Sequence, residues 1–379
     1  VTVLVFCLLA GVSFSSLHKA ETALLEGRYQ EAIETFEAVS KEVPTTRVYK
    51  GWVEALRITG QYEKALTQIN AFDEIDNTSK ELENTRGEIL YAKGQFSKAK
   101  RAFKKAISSR SRDYLRAEAN LAILLYEAGE VEEAFHRFDR LIDTYNSRVE
   151  LGSQELIAVA IACRYKGLVD YEYFHNARMV LGEAQKLSPD SIEPILHTGS
   201  LFLEKYDAGF AGQNFKAALL KNSAHPEALL GLAKARVFDG VNDGIELAEK
   251  ALEVNPRYVA ALAFRAEHFL VVEDYGRARK EANKALLVNP YSSEALSILA
   301  AIAFLSGDSR GYEAAEKQIL ERNPRHADFY NKLAEIAVRN RMYSWAVQLA
   351  TEATILDENS WEGYGLLGMN QLRLGEIQK

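Results

Sequence analysis

The sequence predicts an all-α chain, an α-α superhelix of about ten helix-turn-helix units followed by a partial last one. Three observations predict it. The first is a fixed period: "ALEVNP", "ALLVNP" and "ILERNP" end at Pro256, Pro290 and Pro324, 34 residues apart, and Ala251, Ala285, Ile319 and Ala353 keep that step. The second is a small residue held at one place in each half of the unit. The third is punctuation, with glycine midway through the unit and proline at its close.

Each unit opens with a helical pattern that carries a small residue at its eighth position: Gly87, Ala122, Gly199, Ala233, Ala266, Ala300, Ala334 and Gly368. A small side chain lets two helix backbones approach, while bulky neighbours three and four residues away fill the grooves alongside. Gly27, Gly60, Gly94, Gly129 and Gly307 follow where this helix must end, a place for a residue that tolerates positive φ. The second helix carries Ala32, Ala65, Ala99, Ala134, Ala177, Ala211, Ala278 and Ala346 at one position. In several units an aromatic stands three residues earlier, as in Tyr275/Ala278 and Tyr343/Ala346. Pro44, Pro189, Pro256, Pro290 and Pro324 stop this helix, because proline cannot donate the next backbone hydrogen bond.

The N-terminal half restarts the second-helix pattern at "GRYQEAIETFEAVSKEVP", "GQYEKAL", "GQFSKAKRAFKKAI" and "GEVEEAFHRFDRLI". These place an N-terminal block at 17–146. The stretch 147–190 reads as an irregular unit with an insertion, because ten positions separate Gly167 from Ala177 where other units have five. A C-terminal block then fills 191–379 and ends in an incomplete repeat. Within it, "EKYDAGFAGQNF" keeps Ala211 but lacks the turn glycine at its usual place.

The unit resembles the tetratricopeptide repeat (TPR): 34 residues, two antiparallel helices, small residues at their crossing, an aromatic and a proline in the second half. The resemblance runs from Leu17 to the end of the chain. It implies a superhelix whose first helices line a concave, protein-binding face. Some members carry a Lys-x-x-x-Asn clamp for a free C-terminal carboxylate; that arrangement is missing here.

Composition is globular, with 47% hydrophobic and 26% charged residues and a net charge of −7 of interspersed sign. That balance gives no reason to expect nucleic acid as a partner. One basic run, "SKAKRAFKKAISSRSRDYLR", holds Lys98, Lys100, Arg101, Lys104, Lys105, Arg110, Arg112 and Arg116 against Asp113. It reads as a solvated outer helix face, with too few aromatics for base stacking. Cys7 and Cys163 both lie in apolar runs; Cys163 reads as a small buried hydrophobe and the pair as unbridged. Residues 1–15 form a signal-peptide-like apolar segment whose apolar core, about ten residues, is about half as long as a stable membrane span requires. Export to a periplasmic or extracellular space follows if that segment is a signal peptide, and a cytoplasmic location otherwise.

Catalytic chemistry leaves no trace in the pattern. The seven histidines include no i, i+4 pair, and there is no CxxC, no Walker-type phosphate loop and no GxGxxG following a strand pattern. The expectation is therefore a non-enzyme without cofactor or metal, binding a protein or peptide on the concave face of the first helices. Repeat positions two, five, nine and twelve supply the candidate groove: Arg47, Lys50, Glu54 and Arg57; Glu81, Asn84, Glu88 and Tyr91; and, later, Glu294, Asp328, Asn331 and Glu335. The early groove mixes signs and the later one is acidic, which suits a partner with basic and apolar features.

The C-terminal stretch "GYGLLGMNQLRLGEI" also resembles the repeat region of bacterial exported proteins that continue into a peptidase-MA-like (gluzincin) zinc metallopeptidase domain. That resemblance implies an in-cis domain beyond Lys379, which these repeats would regulate or to which they would present substrate. It places no catalytic residue in this chain. The last helix, without a second helix after it, is expected to leave Leu366, Leu367, Met369, Leu372 and Leu374 partly exposed.

Overall fold

The structure, a computed structural model, describes residues 15–76, 80–109, 114–147, 150–241 and 243–376. The apolar segment up to position 14, with Cys7, and the basic-run residues Arg110, Arg112 and Asp113 lie outside the described residues.

Among the described residues all regular structure is helical, and the helices come in hairpins. The first is α1 (15–25) with α2 (Tyr29–Glu42). Then come α3 (Thr46–Ile58) with α4 (Tyr62–Ile75), α5 (Glu83–Ala92) with α6 (Phe96–Ser108), and α7 (Tyr114–Glu127) with α8 (Val131–Asn146). The middle of the chain gives α9 (Ser153–Lys166) with α10 (Glu172–Leu187), α11 (Glu193–Glu204) with α12 (Ala208–Lys221), and α13 (Pro226–Phe238) with α14 (Gly244–Val254). The last hairpins are α15 (Val259–Val271) with α16 (Tyr275–Val288), α17 (Ser293–Ser306) with α18 (Ser309–Arg322), and α19 (Ala327–Arg339) with α20 (Tyr343–Leu356); α21 (Trp361–Arg373) follows. Odd numbers are first helices. A first helix packs on its own second helix, on the preceding one and on the next first helix, as α11 does with α12, α10 and α13. That is the arrangement of stacked hairpins.

Burial follows the period. Every alanine at the eighth position of a first helix, and every one at the shared position of the second, is wholly buried. The Phe215 ring shows why some positions must be smaller still. It is wedged between Gly199 of α11 and Gly231 of α13, where a Cβ would come within 2.8 Å and 2.3 Å of it.

At the hairpin turns the expected glycines take positive φ, from 70° at Gly94 to 80° at Gly27. Where glycine is missing the backbone takes the same path: Tyr206, Glu273 and Arg341 sit at φ 59°, 61° and 58°. Tertiary packing imposes the turn on residues that do not favour it. The insertion in 147–190 lengthens the turn between α9 and α10 to residues 167–171 and gives α10 16 residues, and the two helices still pair.

The chain divides into two compact units. Unit 1 takes in the described residues of Val1–Ile123 and Ala134–Ala261, and unit 2 those of Leu124–Glu133 and Leu262–Lys379. Within unit 1 the stack curves back upon itself, so that segments roughly six repeats apart in sequence touch. Asn222, at the end of α12, donates its amide to the Tyr29 hydroxyl at 3.0 Å, and Asn255, at the end of α14, reaches Tyr62 at 3.5 Å. In unit 2 the α7–α8 turn receives the end of α18, with Asn323 against Gly129 and Arg322 Nη2 3.0 Å from Glu127.

The terminal helix α21 packs on α19 and α20. Leu366 does not share the expected exposure: it is buried, because it faces those two helices. Met369, Leu372 and Leu374 are exposed, together with Trp361 and Tyr364. No helix among the described residues is long and apolar enough to cross a membrane.

Candidate protein-binding groove

In unit 1 the inward positions of successive first helices carry a connected set of charges. Arg57 donates from Nε and Nη2 to the two carboxylate oxygens of Glu54, both at 2.7 Å. Arg57 also feels Glu88 on α5 and Glu227 on α13, while Glu54 feels Glu193 on α11 and His225 beside α13. Charges from opposite walls therefore act on one another. Each side chain of the Glu54–Arg57 pair keeps 36% exposure, yet desolvation is the largest influence on both. The pair thus keeps part of its own surface open while protein from the surrounding helices crowds it. Desolvation works against both charges, and their pairing outweighs it: Glu54 is held below its ordinary value and Arg57 well above.

Glu193 is the second node. Burial works against its charge, but Arg116 at 3.0 Å, His197 and the Gln154 amide at 2.7 Å outweigh it and hold the carboxyl well below the usual carboxylate range. Nearby, Asn120 of α7 donates to Asn84 at 3.0 Å and to Glu88 at 2.9 Å, and Asn84 donates to Glu88 at 3.1 Å. Arg164 of α9 donates from Nε to both oxygens of Glu204 at 2.8 Å. With these groups ion-paired or bonded in rigid helices, the lumen offers a fixed polar surface.

The structure separates the candidate groove residues. Glu54, Arg57, Asn84 and Glu88 belong to the connected set. Arg47 lies apart from it, exposed and bonded to Glu21 at 2.6 Å. Lys50, Glu81 and Tyr91 are half-buried, and Tyr91 meets the edge of Phe96 with ring centroids 5.6 Å apart.

In unit 2, Asp328, Asn331 and Glu335 line one face of α19, with Glu362 of α21 opposite. Glu294 of α17 is exposed and accepts from Ser292 at 3.0 Å. Asn331 is buried and donates to Ser360 at 3.1 Å, while its Oδ1 receives no hydrogen bond. Burial, then Glu335 and Asp328, push the Glu362 carboxyl up to about 7.

One expectation needs correction. Arg116 belongs to the basic run read as a solvated outer face, but its side chain is 16% exposed and paired with Glu193. It occupies position two of a first helix, so the repeat turns it inward. The run as a whole spans an outer second helix, α6, and the start of an inner one, α7. Arg116, Gln154, Glu193, Arg164, Glu227 and Glu362 are also missing from the groove predicted by sequence. All sit at position two or twelve, so the same register carried through every unit finds them.

Cys163 is buried, and burial pushes its thiol up to about 12, as suits a packed apolar group. No group of three or more His, Cys, Asp or Glu among the described residues could hold a metal ion.

The family comparison agrees with the repeat geometry. Residues 84–148, the stretch containing most of α5 to α8, match the tetratricopeptide repeat family. Repeats of this family generally mediate protein–protein interaction. The chain is similar in structure to a chain in the crystal structure of the APC/C hetero-tetramer Cut9-Hcn1, at 13% identity and a TM-score of 0.45, covering 94% of this chain and 89% of that one. It is also similar to TTC0263, a thermophilic TPR protein of Thermus thermophilus, at 18% identity and a TM-score of 0.42, covering 49% of this chain and all of the other. No curated protein matches the chain.

Proposed function

We propose that this chain is a non-catalytic interaction scaffold that holds a protein or peptide segment against the inward faces of its first helices. The carrying observation is the lumen of unit 1, where Glu54, Arg57, Glu88, Arg116, Glu193 and Glu227 converge from successive helices. A stack stabilised only by its own packing has no need to gather charge on one solvent-open wall. Such a wall selects a partner by complementary charge and hydrogen bonding more than by apolar area.

The test is capture of a partner from an extract of the native host by tagged full-length chain, with cross-linking. Charge reversal at Arg57, or Glu227→Lys, should reduce recovery while far-ultraviolet dichroism stays unchanged. Reversal of the exposed Lys98 and Lys104 on α6 should not. Equal recovery by all of these variants removes this reading. The apolar segment at 1–15 supports export, which N-terminal sequencing of chain recovered from a cell-envelope fraction would check.

A further inference from the structure

Three consecutive hairpins of unit 1 expose apolar side chains at their turns. The turns of α3–α4 and α5–α6 carry Thr59-Gly60-Gln61 and Lys93-Gly94-Gln95, with no large apolar side chain exposed. The turns of α9–α10, α11–α12 and α13–α14 instead expose Leu168, Val169 and Tyr171, then Tyr206, then Phe238. Tyr206 stands where other hairpins have glycine and holds φ 59°, a backbone position that a bulky residue disfavours. Phe210, in the first turn of α12, is exposed as well.

These rings are held in place. Tyr206 of one turn meets Phe238 of the next, with ring centroids 5.7 Å apart. Phe210 stacks on Phe202 at 5.3 Å, and Phe202 packs against the buried cluster around Phe215. The Lys205 ammonium lies 5.3 Å from the centre of the Tyr171 ring and 4.7 Å from that of Phe174. It ties the α11–α12 turn to the α9–α10 turn, so the ridge runs across all three hairpins. Rings already fixed lose little freedom when a ligand covers them. In the same unit Asn222 and Asn255 cover the turns of α1–α2 and α3–α4, whereas a Cβ placed on Gly240 of the α13–α14 turn meets nothing within 4 Å. Contiguous exposed apolar surface rimmed by polar groups marks an interaction site.

Charge and spacing say what fits it. Asp170, Glu172 and Asp239 are exposed at the same turns. The nearby cations are spent elsewhere: Arg164 on Glu204, Arg236 on Asp243, and Lys166 on Asp139 at 2.8 Å. An acidic rim repels an anionic lipid surface and favours a cationic segment. Packed first helices such as α11 and α13 lie about 8–10 Å apart. A polyproline II helix advances about 9 Å in each three-residue turn, so one turn of it meets each successive hairpin. Aromatic side chains are the surface on which proline-rich segments dock, and that helix is formed before binding, which keeps the ordering cost low.

We propose that the turn edge of α9 to α14 docks a proline-rich segment of a partner protein in the polyproline II conformation, with arginine or lysine among the prolines to meet Asp170 and Asp239. The surface is built from hairpin turns, outside the inward helix faces, and does not depend on the groove.

The experiment is fluorescence anisotropy of labelled dodecapeptides with the full chain: repeats of arginine-proline-proline, of glutamate-proline-proline, and of arginine-glycine-serine. The first should bind saturably and the other two about tenfold more weakly or worse. Tyr171→Ser/Phe238→Ser should weaken binding of the first about tenfold with an unchanged melting midpoint, since both rings are exposed. Asp170→Asn/Asp239→Asn should weaken it too and reduce its salt dependence. Reversal of Arg57, which tests the groove, should leave it unchanged. Equal binding of the glycine-serine peptide would reduce the effect to charge and overturn the proposal, as would undiminished binding by the serine variant. The proposal also falls if the proline peptide fails to bind while the serine variant abolishes flotation with neutral phosphatidylcholine vesicles or self-association in sedimentation. The ridge would then belong to a membrane or to a second copy of the chain.

Discussion

The side-chain amide of Asn222 donates to the hydroxyl of Tyr29 across 193 residues of sequence, and Asn255 reaches Tyr62 over the same separation. Each asparagine does two things at once. Its Oδ1 accepts from the backbone two residues on, Ala224 at 3.1 Å and Arg257 at 3.0 Å, and its Nδ2 is left to reach the earlier hairpin. Asn222→Ala leaves the buried Tyr29 hydroxyl without its donor and should cost about 1–3 kcal/mol in urea denaturation. Asn222→Ala/Asn255→Ala should also loosen the curvature of unit 1, read as a larger radius of gyration in solution scattering. An unchanged radius would mean that helix packing alone sets the curvature.

Glycine at the turns separates two effects. Gly60 and Gly240 both hold positive φ, at 71° and 75°. A Cβ on Gly60 would lie 2.1 Å from the Asn255 Oδ1, whereas one on Gly240 meets nothing within 4 Å. Alanine at either site should cost about 1–2 kcal/mol for the left-handed backbone. Gly60→Ala should cost more, and Asn255→Ala should recover the excess. Equal melting curves for the two alanine variants would show that the Asn255 contact carries no energy.

Glu273 and Arg341 fill turn positions that glycine fills elsewhere. Glycine there should raise stability by about 0.5–1 kcal/mol, since relief of the left-handed conformation exceeds the added freedom of the unfolded chain. Thermal melts of Glu273→Gly decide it, and a lower midpoint would count against the backbone account.

Glu362 sets a pH dependence in unit 2. Its carboxyl titrates near 7 when folded against an ordinary 4.5, so the folded chain holds that proton more tightly. Stability should fall as pH rises from about 4.5 to about 7, by on the order of 1–2 kcal/mol after allowance for solvent screening of a half-open group. Glu362→Gln should flatten that part of the profile and be the more stable chain at pH 8. Parallel profiles for the two chains would place the effect elsewhere.

Glu193 acts with the opposite sign. Its folded pKa is depressed, so its contribution is complete above the ordinary value of 4.5 and is lost as pH falls below it. Arg116→Met removes the strongest opposing charge and should cost about 1–3 kcal/mol at pH 7. The loss should shrink in Arg116→Met/Glu193→Gln, which leaves no carboxylate stranded. A double variant as unstable as the single one would show that packing of the Arg116 stem is what matters.

Much of this molecule is legible in order along the chain. The hairpins, the buried alanines and the positive-φ glycines all follow from one period, because a repeat's main contacts are with itself and its neighbours. The groove was legible only in part. Glu54, Arg57 and Glu88 were found by register; Glu193, Glu227 and Glu362 obey the same register, each six residues before the small residues Gly199, Ala233 and Gly368, but stand outside the units to which the register was applied. Arg116 was misread because a run of like charge in sequence crosses from an outer helix to an inner one.

By itself the sequence determined the repeat, its helices, its turns and the acidic drift of its last inward positions. Tertiary structure alone decided which charges meet. The curvature of a repeat stack accumulates from small packing rotations at successive interfaces, and no sequence window contains their sum. That sum brings Asn222 to Tyr29 and Arg116 to Glu193. In unit 2, the packing of α21 on α19 sets Glu362 against Glu335 and Asp328, where burial and like charge leave the carboxyl poised to take or release a proton near neutral pH.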